Sequence, residues 1–190
     1  MTTSAVNPSR RRFLTTSAAV SASAAALAAS ASATAKHAED KPVVLGVMGL
    51  SRGSALAKTF AAIRGVQVRY ICDIDSKRLE AFRESFAATI DYDVKGVADF
   101  RRILDDPEVD ALVCAAPNHW HAPAGILACS AGKHAYIEKP CCHNPREGEL
   151  LIEAARKHKR CVQMGNQRRS GEKTAEAMKL LHEGRIGRVY

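Results

Sequence analysis

Glu138, Lys139 and Pro140 put a carboxylate, an ammonium and a ring-locked residue in consecutive positions, after a short β-type run from His134 to Ile137. A lysine at the end of a buried strand is costly unless something nearby needs its charge. A bound cofactor or a developing alkoxide is such a need. Three other stretches also carry residues suited to chemistry: Gly49 to Ser54, Asp73, and Pro117 to His121. Each follows an apolar run, so the elements behind them decide whether they can act together.

Val43 to Met48 is a continuous apolar run and reads as a buried parallel strand. It ends in Gly49-Leu50-Ser51-Arg52-Gly53-Ser54, after which Leu56, Phe60 and Ile63 recur at helical spacing. Strand, glycine turn and helix form the context of a phosphate-binding turn, where a helix N-terminus offers free N–H groups and the positive end of its dipole. The spelling is imperfect. In the G-x-G-x-x-G frame beginning at Gly49, Ser51 and Ser54 stand at the second and third glycine positions, and an ordinary strand–helix turn is the alternative. A serine still lets the backbone approach, and its hydroxyl can bond a phosphate oxygen.

Val66 to Cys72 is the next strand and ends at Asp73, 24 residues after Gly49. An acid at this spacing can accept hydrogen bonds from the hydroxyls of an adenosine ribose, and its charge disfavours a 2′-phosphate there. The alternative is that an acid here caps the helix from Lys77 to Ala88, whose core face is Leu79, Phe82 and Phe86. Asp75 fits that cap better, which leaves Asp73 for a ligand.

The remaining chain continues the alternation. Tyr92 to Val97 can hold a short third strand, and a helix is expected over about 99–104 before the Asp105-Asp106-Pro107 turn. Ala111 to Ala116 is an apolar strand leading into Pro117-Asn118-His119-Trp120-His121, and the helix through Ile126 and Leu127 breaks at Gly132. After the strand that carries Glu138 and Lys139, Asn144 and Pro145 stand in N-cap and N1 order. Leu150, Leu151, Ala154 and Ala155 form the apolar face of that helix. Arg160 to Met164 is a last strand, a helix is expected over about 172–183, and Ile186 to Tyr190 looks like a strand just starting. By the right-handed crossover rule this is an α/β, doubly wound, mostly parallel sheet with helices on both faces.

Composition narrows the function classes. Residues 1–35 hold three arginines and no acid, and without them the basic count falls from 28 to 25 against 20 acids, so net charge falls from +8 to +5. That basicity is scattered rather than striped, and no nucleic-acid partner is expected. Ser9-Arg10-Arg11-Arg12-Phe13-Leu14 resembles the twin-arginine export motif. It is followed by a weakly apolar Ala/Ser run to Ala31 and a small-x-small cleavage site at Ala33-Thr34-Ala35. The alternative is a disordered Ala/Ser tail with a chance arginine run. The run is too polar for a stable membrane span. A signal peptide over 1–35, a linker over 36–42, and a periplasmic or extracytoplasmic mature protein free of the membrane are therefore expected.

Other chemistry is set aside. His119 and His121 can share one side only in an extended segment, and no third ligand stands at a recognisable spacing, so no metal is expected. Cys72, Cys114 and Cys161 fall on predicted core strands, Cys129 in a helix, and Cys141-Cys142 is a vicinal pair. They read as small buried apolar residues with at most one bridge among them.

The four signals lie at the carboxyl ends of predicted parallel strands, the edge where open α/β sheets bind ligands. In this order and spacing they resemble the Gfo/Idh/MocA family over roughly residues 42–190, with Glu138-Lys139-Pro140 as the most specific element. The resemblance implies an N-terminal Rossmann domain, here 43–183, followed by a second α/β domain that is absent or only begun at 184–190. It implies NAD rather than NADP as cofactor. Gly49, Ser51 and Arg52 match the dinucleotide turn, and Asp73 matches the ribose acid. Pro117, Asn118 and His121 match the loop lining the cofactor. Glu138 and Lys139 match the pair at the nicotinamide ribose and substrate hydroxyl, with Lys139 catalytic, and Gln167 lies in a loop approaching the same pocket.

The function so implied is the cofactor-binding part of an exported NAD(P)-dependent oxidoreductase acting on a sugar or polyol. An NAD-using glycoside hydrolase of the same superfamily and a non-catalytic dinucleotide-binding domain are the alternatives. Relatives of the hydrolase type commonly carry a neutral residue where this chain has Lys139, which favours the dehydrogenase. A chain stopping at Tyr190 would leave an apolar sheet face uncovered, so a homo-oligomer is expected.

Overall fold

A computed structural model of the chain describes residues 41–187. Six strands, β1 (Val43–Met48), β2 (Val66–Cys72), β3 (Lys95–Val97), β4 (Ala111–Cys114), β5 (His134–Glu138) and β6 (Val162–Gly165), form one sheet in the order β3-β2-β1-β4-β5-β6. Every neighbouring pair is parallel. The order reverses direction between β1 and β4, and the strand ends open a crevice there. The twin-arginine motif and its cleavage site lie outside the described residues.

The sheet is buried on both faces, and the period-two alternation of β1 assigns its side chains to two cores. Val44 and Met48 join Ile103, Leu112, Ala124, Ala128, Ile137 and Leu151 on one face. Leu45 and Val47 join Leu56, Val68, Ile71, Phe82, Phe86 and Val113 on the other. Helices α1 (Gly53–Ala61) and α2 (Ser76–Ala87) therefore cover the second face. Helices α3 (Arg101–Asp105), α4 (His121–Ser130) and α5 (Pro145–His158) cover the first. This is the doubly wound arrangement that the sequence implied.

The caps fall where side-chain chemistry puts them. Asp75 accepts from the N–H groups of Lys77 and Arg78 at 3.0 and 3.1 Å. Asn144 accepts from Glu147 at 3.0 Å while Glu147 accepts from the His143 N–H at 2.7 Å, a reciprocal cap that starts α5 behind Pro145.

Five expectations are corrected. Ile63 lies beyond the end of α1 and is 49% exposed, because the chain turns at Ala62 to reach Gly65 and β2. Leu150 is 38% exposed, since the buried stripe of α5 runs through Leu151 and Ala154. Cys161 is exposed one residue before β6 rather than packed on a core strand, and the six thiols form no bridge. The third strand is only Lys95–Val97, set by its three register partners on β2. Ile186 is in a turn and exposed, so no strand begins there among the described residues. The last helix, α6 (Glu172–His182), buries none of its residues against the rest of the described chain.

Close packing of α4 depends on Gly125. A Cβ there would stand 2.4 Å from Ile137 Cδ1 and 2.8 Å from Leu151 Cδ1. Alanine gains about 1 kcal/mol over glycine in a helix, but the overpacking costs about 1–3 kcal/mol. Gly125→Ala is therefore expected to lower the urea unfolding midpoint with an unchanged slope; an unshifted or raised midpoint contradicts this packing.

Candidate functional site

The turn after β1 is shaped by what it must pass. Gly49 has φ +87°, and a Cβ on it would lie 2.5 Å from the Ala116 nitrogen, so neither the conformation nor the space admits a side chain. Gly53, outside the expected glycine frame, supplies the close helix–strand approach: a Cβ there would meet Val47 Cγ1 at 3.0 Å. Ser54, which stands at the third glycine position, donates its hydroxyl to the Leu50 carbonyl instead. Ser51 and Arg52 border the cavity at the start of α1.

That cavity, about 620 Å³, opens between the carboxyl ends of β1, β2 and β4. Gly49, Ser51, Arg52, Asp73 and Pro117 line it, whereas Asn118, His121, Glu138, Lys139 and Gln167 do not. Asp73 is only 8% exposed. Its Oδ2 accepts from the Leu50 N–H at 2.8 Å and its Oδ1 from the Asp75 N–H at 3.0 Å, with Arg78 Nη1 3.4 Å from Oδ2. Burial pushes this carboxyl up, but the two N–H donors and the Arg78 guanidinium outweigh it, and the net direction is down. The site thus holds a fixed anion.

The far wall holds Ile74, 92% exposed beside Asp73, Phe100 and Arg101, which the sequence did not point to, together with Trp120 from the Pro117 to His121 stretch. Trp120 meets Phe100 edge-on with ring centroids 5.8 Å apart. Burial pushes the Cys72 thiol up to about 12 and that of Cys114 up to about 11, so both serve as neutral packing groups. Arg78 and Arg101 carried no motif in the sequence. The single available signal for Arg78 was its place in the first turn of a helix capped two residues after an acid.

A second cluster lies at the ends of β5 and β6. Glu138, 5% exposed, accepts from Gln167 Nε2 at 2.5 Å, and Arg52 Nε lies 3.6 Å from the same oxygen. Its other oxygen accepts from the Lys139 N–H at 3.3 Å. Tyr136, two residues earlier on the strand, packs its ring edge-on to Phe60 with centroids 5.5 Å apart, and burial followed by the Glu138 charge pushes its phenol up. Lys139 is exposed, makes no ion pair among the described residues, and precedes Pro140 through a cis peptide. Arg52 is the one residue that belongs to both the cavity and this cluster.

Asn118 opens an exposed 3-10 turn, Asn118–Trp120, behind Pro117. His121 is buried, and both ring nitrogens face backbone carbonyls, of Pro140 and Ala116. His119 is exposed at the cavity. The two histidines thus occupy different environments.

The Asp73 contacts set a pH-dependent stability. A depressed folded-state value means that the contribution is present above the ordinary value of 3.8 and is lost as pH falls through the folded value. Asp73→Asn should be less stable than the parent by about 1–3 kcal/mol at neutral pH. In chemical denaturation, that gap should close as pH falls below the carboxylate range; a gap independent of pH contradicts the assignment.

Residues 41–166 match the model of a family described as an oxidoreductase family with an NAD-binding Rossmann fold. Inositol 2-dehydrogenase of Salmonella typhimurium is 30% identical over 146 residues, covering 76% of this chain and 41% of that protein. A glycosyl hydrolase family 109 protein of Saccharopolyspora erythraea is 28% identical over 157 residues, covering 77% of this chain and 33% of that protein. The crystal structure of myo-inositol 2-dehydrogenase from Lactobacillus plantarum superposes with a TM-score of 0.70 at 26% identity, over 78% of this chain and 43% of that one. The chain spans less than half the length of these relatives. With its six-stranded parallel sheet and its match over most of the described residues, the chain belongs to the Gfo/Idh/MocA family of oxidoreductases.

Proposed function

We propose that this chain is the cofactor-binding part of an NAD-dependent oxidoreductase that moves hydride between nicotinamide and a hydroxyl of a sugar or polyol. The observation that carries the reading is the Glu138 carboxylate, buried between Gln167 and Arg52 and followed by the exposed ammonium of Lys139. Gly49, with no room for a Cβ, and the anionic Asp73 lining the cavity are the close backbone turn and the hydrogen-bond acceptor that fit a dinucleotide. Gly49, Ser51 and Arg52 would hold the pyrophosphate and Asp73 the adenosine ribose. The Asp73 charge disfavours a 2′-phosphate and hence NADP.

When bound, the nicotinamide supplies the hydride acceptor or donor. The chain's own residues do the proton work. Glu138 keeps the local field negative and orients through Gln167 and the Lys139 N–H, while the Lys139 ammonium is available to hold or relay a hydroxyl proton. Pro117 would border the cofactor from the neighbouring strand end, with Asn118 opening the turn behind it. The relatives named dehydrogenases of inositol support a polyol, and Lys139 favours net oxidation over the glycoside-hydrolase alternative that the family 109 likeness raises. Export through the Arg10-Arg11 motif belongs to the same proposal, since the twin-arginine route carries folded, cofactor-loaded proteins.

NAD⁺ should quench Trp120 fluorescence saturably in the purified chain. In the full-length protein, Lys139→Met should lower kcat by roughly 10²-fold or more while leaving NAD⁺ affinity within about threefold. Unchanged turnover in this variant sinks the role of Lys139. Release of an aryl glycoside that requires NAD⁺ without net NADH would replace the dehydrogenase reading with the hydrolase. For export, replacing Arg10 and Arg11 by lysine should leave the precursor inside the cell, and undiminished export refutes that part.

A further inference from the structure

The β4–β5 ladder ends at the pair Cys114 and Ile137. Beyond it the two strands part. One becomes the Ala116–Pro117 wall of the cavity, and the other becomes the Glu138-Lys139-Pro140 turn. No ladder bond joins them past that point. What joins them is His121, the first residue of α4. It is 2% exposed, with Nδ1 2.5 Å from the Pro140 carbonyl oxygen and Nε2 2.8 Å from that of Ala116.

Both partners are acceptors, so the ring meets them as a donor. A neutral tautomer supplies one N–H, and the protonated ring supplies two. The imidazole is enclosed with each nitrogen against a carbonyl oxygen, so it cannot reach a ligand without leaving one of them. The family resemblance placed it among the residues lining the cofactor; the geometry places it one layer behind.

We infer that His121 is a positioning residue that fixes the Lys139–Pro140 turn against the cavity wall at Ala116. It acts through Pro140, the residue after Lys139, and through a helix whose first turn is packed into the core at Ala122, Ala124 and Gly125. An imidazole between two carbonyls defines their separation. An apolar side chain of the same size would offer neither carbonyl a ring N–H and would hold neither in place. Where Lys139 stands relative to the cavity then depends on a ring that never touches the ligand. The functional weight of this inference rests on the nicotinamide reading above, but the clamp itself does not.

The test therefore has a ligand-free arm. His121→Ala and His121→Asn are labelled with trace acetic anhydride, well below their unfolding midpoints. Acylation of Lys139 is then measured by mass spectrometry relative to Lys58 and Lys159. In His121→Ala the Lys139 rate should change by about threefold or more with the reference lysines unchanged, and His121→Asn, which keeps one donor, should move it back toward the parent. If the alanine variant does not fold, the asparagine variant carries the comparison, with a smaller selective change at Lys139 expected. A Lys139 rate equal to the parent's in a folded variant overturns the inference.

The second arm adds NAD⁺. Bound NAD⁺ should protect Lys139 in the parent and fail to protect it in the folded variant, while affinity by Trp120 quenching stays within about threefold. Loss of affinity in step with protection would overturn the positioning role in favour of a direct contact. If the parent neither binds NAD⁺ nor gains protection, the nicotinamide reading fails, and the ligand-free arm still decides the clamp.

Discussion

The site is organised around a carboxylate that the fold will not release. Asp73 sits at the end of β2 with little exposure, and its two oxygens are held by N–H groups from two different segments. The bond to Leu50 fixes the Gly49 turn to the neighbouring strand, and the bond to Asp75 starts the turn into α2. A buried carboxylate costs several kcal/mol unless donors surround it. Here the donors are backbone groups that cannot swing away, with Arg78 as a partly exposed counter-charge. The same contacts that make the anion tolerable also make the turn rigid.

The second cluster repeats that logic with side chains. Glu138 is enclosed by Gln167, Arg52 and the backbone of Lys139, so a charge on β5 is met by groups from the turn after β6 and from the start of α1. Arg52 spans the two clusters, and a change at the phosphate-type turn is therefore felt at Glu138. Lys139 is different in kind. It is left exposed beside an anion whose oxygens already accept from other groups. Cys72 and Cys114, by contrast, belong to packing, and burial keeps them as thiols.

Much of this was legible in the chain, for reasons that differ from residue to residue. The buried strands announced themselves because burial on both faces demands unbroken apolar runs such as Val43 to Met48. The caps at Asp75 and Asn144 were readable because a capping bond is made within three residues. Ile63 and Leu150 misled because helical spacing says which residues share a face, while the end of the helix and the angle of its docking decide whether that face is covered. Gly53 escaped the motif frame because close approach is a property of two elements and the frame describes one.

Local chemistry, then, determined the alternation of strands and helices, the acid at the end of β2 and the Glu138-Lys139-Pro140 element, since each depends on neighbours a few residues away. Tertiary structure alone decided which of these meet. It gave Arg52 to both clusters, brought Gln167 across to Glu138, left Lys139 outside the cavity, and put His121 behind the wall with both nitrogens on backbone carbonyls. The physical reason is distance along the chain. Gln167 and Glu138 are 29 residues apart, and Asp73 and Leu50 are 23 apart. No local rule fixes such pairs until the parallel sheet sets every strand end on one edge.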